Sequence, residues 1–188
     1  VTQIVTDLRK FTREDSLTTG DADLVEIITR SRRMISHQVG EAIAFNLTMP
    51  DHALIRGNAN QLSQVFINFF QNSIDAIEQR AAEQPDAPSG RVDIVMEPAG
   101  EGWQVNFNDN GIGIPPENLS KIFDPFFTSK DVGKGMGLGL SITHQILQAH
   151  RAIVEVDSRP TEFTRFRIAF PGVSFSPDSP ETVLDQPA

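Results

Sequence analysis

A carboxylate followed by spaced glycines, Asp109-Asn110-Gly111-Ile112-Gly113-Ile114-Pro115, stands upstream of a second glycine run, Gly133-Lys134-Gly135-Met136-Gly137-Leu138-Gly139-Leu140. Asp109 can accept a hydrogen bond from the exocyclic amine of a base, and the small residues beside it let backbone approach a ligand closely. The second run opens an amphipathic stretch, Leu138 to Leu147. Its backbone N–H groups should therefore lie at a helix N-terminus, where dipole and unpaired donors favour phosphate. A base site and a phosphate site in one chain suggest ATP.

These runs need a scaffold, and the pattern of apolar residues predicts one. From Asn60 to Ala81, Leu62, Val65, Phe66, Phe69, Phe70, Ser73 and Ile77 share one face at a period of 3.6, leaving Asn68, Asn72, Asp75 and Gln79 as a polar stripe. A polar stripe beside a core is where a ligand is expected. Leu24, Ile27, Ile28, Met34 and Ile35 trace an earlier helix, preceded by a turn with a cap candidate at Thr18 to Asp21. Ala42 to Leu47 and Ala53 to Ile55 flank Met49-Pro50-Asp51-His52 and read as a hairpin or neighbouring strands. Arg91 to Met96 and Trp103 to Phe107 alternate at period two and predict an antiparallel pair, with closing strands at Ala152 to Val156 and Phe163 to Phe170. The Gly- and Lys-bearing stretch Thr128 to Met136 has little to bury and is expected to move. Helices segregated from strands imply an α+β sandwich.

Composition narrows the chemistry. A formal charge of −9 argues against a phosphate-backbone grip, so nucleic acid is not an expected partner. The 188 residues contain no Cys, which excludes disulfides and thiolate metal sites, and 13 Phe supply ample core. No run approaches the roughly 20 apolar residues of a membrane span. The chain opens on Val within an apolar helical pattern, Val1, Ile4, Val5, Leu8 and Phe11, and is expected to be cut from something longer.

Four segments in order, NQLSQVFINFFQNSIDAI from Asn60, DNGIGIP from Asp109, IFDPFFTSK from Ile122 and GKGMGLGLSI from Gly133, resemble the catalytic, ATP-binding domain of sensor histidine kinases in the GHKL superfamily. They correspond to its N box, first glycine box, F box and second glycine box, over about Ala53 to Phe170. The PFFTSK and NSIDA wording is most similar to kinases of the nitrogen-regulation and C4-dicarboxylate-sensing branch. The resemblance implies a two-layer Bergerat-type fold, a mixed and largely antiparallel sheet with helices on one face. It makes Asn72 the Mg²⁺-coordinating amide, with Asn68 and Asp75 on the same stripe, and Asp109 the adenine acceptor, with Gly111, Gly113 and Ile114 beside the ring. Gly135, Met136, Gly137, Leu138, Gly139 and Leu140 would wrap the phosphates, Lys130 and Lys134 would neutralise them, Phe123 and Phe127 would anchor the lid, and Thr164 would complete the site. Arg151-Ala152 stands where the family has a glycine pair, and Thr161-Glu162-Phe163-Thr164-Arg165-Phe166 stands at its late glycine box, so altered turn geometry is expected there.

The family's ATP-hydrolysing branches carry a Glu four residues before the metal-binding Asn; here that position is Asn68, which cannot serve as a general base. The resemblance therefore implies slow hydrolysis and transfer of the γ-phosphate to a His. None of His37, His52, His144 and His150 is followed by the acidic residue and Pro of the family's acceptor. The acceptor is expected upstream, on a dimerisation domain whose last helix ends within residues 1–15, ahead of a catalytic domain over 16–172 and a disordered tail over 173–188. Implied partners are ATP and ADP, that upstream domain in a homodimeric parent, and a response-regulator receiver domain. The expected location is cytoplasmic, with the parent free or attached to the inner membrane. The rivals are a GHKL ATPase or Ser-directed kinase, and a nucleotide-sensing interaction module without phosphotransfer.

Overall fold

Phenylalanines on one long helix meet the apolar face of a five-stranded sheet in the computed structural model, which describes residues 19–39, 42–129 and 136–172. In chain order the elements are β1 (Gly20–Asp23), α1 (Leu24–Val39), β2 (Ile43–Thr48), β3 (Leu54–Gly57), α2 (Ala59–Glu83), β4 (Gly90–Ala99), β5 (Gly102–Asp109), a single turn α3 (Pro116–Leu119), α4 (Gly139–Ala149), β6 (Ile153–Arg159) and β7 (Phe163–Phe170). The main sheet runs β2-β4-β5-β7-β6; β2 lies parallel to β4 and every other pair is antiparallel. Val92, Ile94, Val105, Phe107, Phe166 and Ile168 are buried on the face that meets the helices, and alternation puts Arg91, Asp93, Asn106, Arg165 and Arg167 on the other. This is the expected α+β sandwich. The expected helix end over residues 1–15 and the tail over 173–188 lie outside the described residues.

Helix α2 starts at Asn58, whose Oδ1 accepts the N–H groups of Asn60 and Gln61 at 3.0 and 3.1 Å. Such a cap contributes about 1 kcal/mol. Phe69 packs on Phe107 and Phe166 at centroid distances of 5.5 and 4.7 Å, and Phe70 meets Phe107 edge-on at 5.0 Å. These contacts fix which face of α2 turns inward and so aim its polar stripe at α4. At the far end of α4 the His150 ring accepts the Asn58 N–H on Nε2 at 2.9 Å and donates from Nδ1 to the Ile146 carbonyl at 2.7 Å, which joins the two helices.

Three local expectations are corrected. Strands β2 and β3 form no hairpin: β3 pairs with β1 in a separate two-stranded sheet, while β2 joins β4. Gly20 and Asp21, expected in a turn, belong to β1, and α1 is capped by Asp23, whose Oδ1 accepts the N–H groups of Val25 and Ala53. Burial opposes the Asp23 charge, but hydrogen bonds from His52, Ala53 and Val25 outweigh it and hold this carboxyl below its ordinary value. Met34 is 57% exposed, and Ser31 takes its place on the buried face with Leu24, Ile27, Ile28 and Ile35. A small residue there lets α1 approach α2, where the Ser31 hydroxyl reaches the Ser63 carbonyl at 3.5 Å.

The altered turns keep left-handed backbone without glycine. Arg151 follows α4 with φ 55° and Thr161 joins β6 to β7 with φ 64°. A left-handed L-residue costs about 1–2 kcal/mol, and a β-branched one is a marked outlier. Arg151→Gly and Thr161→Gly are each expected to raise the unfolding midpoint by a few degrees, the glycine's own unfolded-state entropy reducing the gain. A lower midpoint in calorimetry for both would show that these side chains contribute more than their backbone costs.

Candidate nucleotide site

Asp109 ends β5 in the centre of the sheet, opposite Thr164 of β7, and is only 3% exposed. The Ser73 hydroxyl on α2 donates to its Oδ2 at 2.8 Å and the Gly111 N–H donates to Oδ1 at 2.9 Å. Desolvation nevertheless dominates and pushes this carboxyl up to about 6. No cation among the described residues neutralises it. A buried carboxylate with both oxygens oriented and charge left over is prepared to accept an N–H from a ligand.

Linked hydroxyls lie beside this carboxylate, through Thr164 opposite it on β7. Ser158 Oγ donates to the Phe163 carbonyl at 2.7 Å, accepts the Ile114 N–H at 2.8 Å and lies 3.1 Å from Thr164 Oγ1. With its one proton committed to Phe163, Ser158 accepts from Thr164, which fixes the Thr164 rotor. Sequence reading placed Ser73 only on a core face and passed over Ser158. A hydroxyl in an otherwise apolar stripe was the one available signal, because its partner lies 36 residues away.

The first glycines serve the packing of their own loop. A Cβ on Gly111 would lie 2.6 Å from Ala76 Cβ, where the Ile112 N–H donates to the Ala76 carbonyl. Gly113 has φ 74°, and a Cβ there would lie 2.3 Å from the Arg159 carbonyl oxygen. The loop is thus held between α2 and the β6–β7 turn, with Asn110 pinned by Arg91 and Ser89 and its carbonyl by the Arg80 guanidinium. The contacts that exclude a side chain at Gly111 and Gly113 are protein contacts, where the sequence suggested room for a ring.

At the second glycine run, Gly137 has φ 65° and its carbonyl accepts the Phe126 N–H at 2.9 Å, which ties the residues before α4 to the Phe126 turn. Helix α4 begins at Gly139 with no side chain among the described residues capping its first N–H groups, and the nearest described atom to a Cβ on Gly139 would be Asn68 Cγ at 3.9 Å. Uncapped N–H groups at a helix start suit an anion. Leu140 and Ile114 pack partly buried on the core, Leu138 is half-buried and Met136 is more exposed, at 37%. Phe123 stacks on His144 at 4.9 Å, Phe127 packs against the core, and Phe126 is 75% exposed. Lys130, Lys134 and Gly135, expected at the phosphates, lie outside the described residues.

The α2 stripe divides its labour. Asn72 is half-buried and has no hydrogen-bonding partner among the described residues, leaving its amide oxygen available. Asp75 accepts from Gln71 at 2.9 Å. Asn68 accepts from Gln64 and donates to α4, so its amide is already committed to protein. The other histidines of known surroundings have structural partners: His52 pairs with Asp23 at 2.7 Å, His144 stacks, and His150 joins helices.

Residues 57–174 match the family model described as histidine kinase-, DNA gyrase B-, and HSP90-like ATPase. The chain belongs to that family. Sporulation kinase A of Bacillus subtilis (strain 168) is 40% identical over 121 residues, 64% of this chain and 18% of that protein. The C4-dicarboxylate transport sensor protein DctB of Rhizobium meliloti (strain 1021) is 32% identical over 163 residues, 86% of this chain and 25% of that protein. Among solved structures, a mycobacterial sensor histidine kinase, MprB, matches with a TM-score of 0.69 at 26% identity, over 82% of this chain and 98% of that one. The match takes in nearly all of that solved chain, while this chain spans a quarter or less of these two curated relatives. Its ATP-binding fold is that of sensor histidine kinases, including the C4-dicarboxylate-sensing type.

Proposed function

We propose that this chain is the catalytic part of a two-component sensor kinase, which holds ATP between α2 and the α4 N-terminus and presents its γ-phosphate to a His on an upstream dimerisation domain. The observation that carries the reading is Asp109: buried, oriented by Ser73 and Gly111, and without a cationic partner among the described residues. Adenine would donate its amine to this carboxylate, with Thr164 and Ile114 at the rim, and the phosphates would reach the uncapped turn at Gly139. Lys130 and Lys134 are proposed to neutralise phosphate charge.

Mg²⁺ fits the residues present. Asn72 offers a hard amide oxygen with no competing partner among the described residues, and a cation that retains several waters and takes phosphate oxygens needs few protein ligands. When bound, the ion spreads the charge that develops on the transferred phosphoryl group. In the transfer, an imidazole nitrogen forms a bond to the γ-phosphorus in line with the breaking bond to the bridging oxygen, and ADP leaves. Nothing at Asn68 can activate water instead, which preserves ATP for that nucleophile. A receiver-domain Asp would then take the phosphoryl group. Use of ATP supports a cytoplasmic location for this domain. Among the described residues no helix is long and apolar enough to cross a membrane.

Calorimetric titration with ADP and a nonhydrolysable ATP analogue, with and without Mg²⁺, tests the reading alongside a long hydrolysis assay. Binding that strengthens with Mg²⁺ and negligible turnover are expected; rapid turnover would favour an ATPase, and no binding would favour an interaction module. Asn72→Ala is expected to remove most of the Mg²⁺-dependent gain in affinity, on the order of tenfold or more, while leaving adenosine binding unchanged. Equal loss for adenosine and ADP would contradict a metal role for Asn72.

A further inference from the structure

We propose that Asn68 is a positioning residue that sets the distance between the phosphate-binding turn of α4 and the metal amide of α2, an inference that rests on the nucleotide reading of this site. Its Nδ2 donates to the Gly139 carbonyl at 3.1 Å and to Thr143 Oγ1 at 3.2 Å, while its Oδ1 accepts from Gln64 Nε2 at 2.9 Å. The orientation of the amide follows from the chemistry. A main-chain carbonyl only accepts, so the Asn68 nitrogen must face Gly139 and the oxygen must face Gln64. Both N–H groups are therefore spent on α4, and the oxygen already accepts from Gln64.

The partners lie at the places where the site needs accuracy. Gly139 is the first residue of α4, two residues after the left-handed Gly137, and Thr143 on the next turn is fully buried. Ser141 closes the same turn by donating to the Leu138 carbonyl at 2.9 Å. On α2, Asn72 stands one turn beyond Asn68, about 6 Å along the axis. The Asn68 tether thus joins the two halves of the phosphate site between elements that no strand pairing connects. A misplacement near 1 Å at such a site costs up to about 100-fold. Asn68 Cγ is also the nearest described atom to where a Gly139 side chain would begin, at 3.9 Å.

The test is calorimetry of the whole chain with adenosine, ADP and ADP plus Mg²⁺, for Asn68→Ala, Thr143→Val and the double variant. Thr143→Val keeps the branched shape and removes the hydroxyl that accepts from Asn68, so it remains informative if Asn68→Ala folds poorly. The expected result for Asn68→Ala is about tenfold weaker ADP binding that persists when EDTA removes Mg²⁺, with adenosine affinity unchanged. Thr143→Val should act in the same direction, and the double variant should fall short of the two single effects combined. A penalty that disappears in EDTA would make Asn68 a metal ligand and overturn the proposal. So would an equal loss for adenosine, unchanged ADP affinity in both variants, or full additivity. Failure of the unmodified chain to bind ADP would remove the nucleotide reading and the tether together, an outcome distinct from all of these.

Discussion

Asp109→Asn is expected to weaken ADP binding on the order of 100-fold and to reverse the preference between adenine and bases that carry a carbonyl at the same position. Gly111 presents only a donor to Oδ1, so the asparagine oxygen settles there and its nitrogen turns to Ser73, whose hydroxyl can rotate to accept. The amide then offers an N–H where adenine also offers one, and the mismatch leaves a buried donor unpaired. The same substitution should stabilise the protein without ligand. Burial raises the Asp109 carboxyl from 3.8 to about 6, so the charged form is disfavoured in the fold. For an acid with a raised value, stability is greatest below the unfolded value of 3.8, falls as pH rises toward 6 and stays low above it. A neutral amide avoids that loss, on the order of 3 kcal/mol at pH 7. On the proposed reading the protonated form lacks the charge that adenine's amine would meet, so affinity of the unmodified protein for adenosine should fall as pH drops below about 6. Adenosine is the suitable probe because it has no phosphate to titrate. Unchanged ADP affinity in Asp109→Asn would remove this residue from the site.

Gly137→Ala is expected to damage the opposite end. An added Cβ would lie 2.4 Å from the Phe126 carbonyl carbon and 2.5 Å from the Phe127 carbonyl oxygen, at a φ of 65° that alanine reaches only at a cost of about 1 kcal/mol or more. Backbone must move on both sides of the Phe126–Gly137 hydrogen bond, and with it the start of α4. ADP affinity should fall on the order of 100-fold, while adenosine, proposed to sit at Asp109 on separate elements, should bind within about threefold of normal. The two variants therefore separate the base end from the phosphate end. Equal losses for adenosine and ADP in Gly137→Ala would show that the lid base and the adenine pocket move as one unit.

Much of this was legible along the chain because it depends on near neighbours. The 3.6 period of α2 follows from residues one turn apart, and the alternation of β4 and β5 from residues two apart, so both could be read locally. The four motifs placed Asn72, Asp109 and Gly137 by resemblance, and in the fold Asp109 is oriented by Ser73 of α2 while Gly137 stands two residues before α4. Longer-range choices were not legible. The turn between β2 and β3 looks like a hairpin, yet each strand finds a better partner elsewhere, β2 beside β4 and β3 beside β1. Met34 fits a helical apolar pattern as well as Ser31, and only the closeness of α2 decides that the smaller residue goes inside.

The sequence by itself determined the element types, the α+β class, the glycine and amide chemistry available, and the absence of a general base at position 68, since each follows from residue type and local spacing. Tertiary structure decided which polar groups are spent and which remain open. Ser73 became the second donor to Asp109, Asn68 was committed to α4, and Asn72, one turn away and of the same type, was left without a partner among the described residues. Hydrogen-bond capacity is fixed by residue type, but its use is fixed by what folding brings within about 3 Å, and here those partners lie 36 and 71 residues apart in the chain.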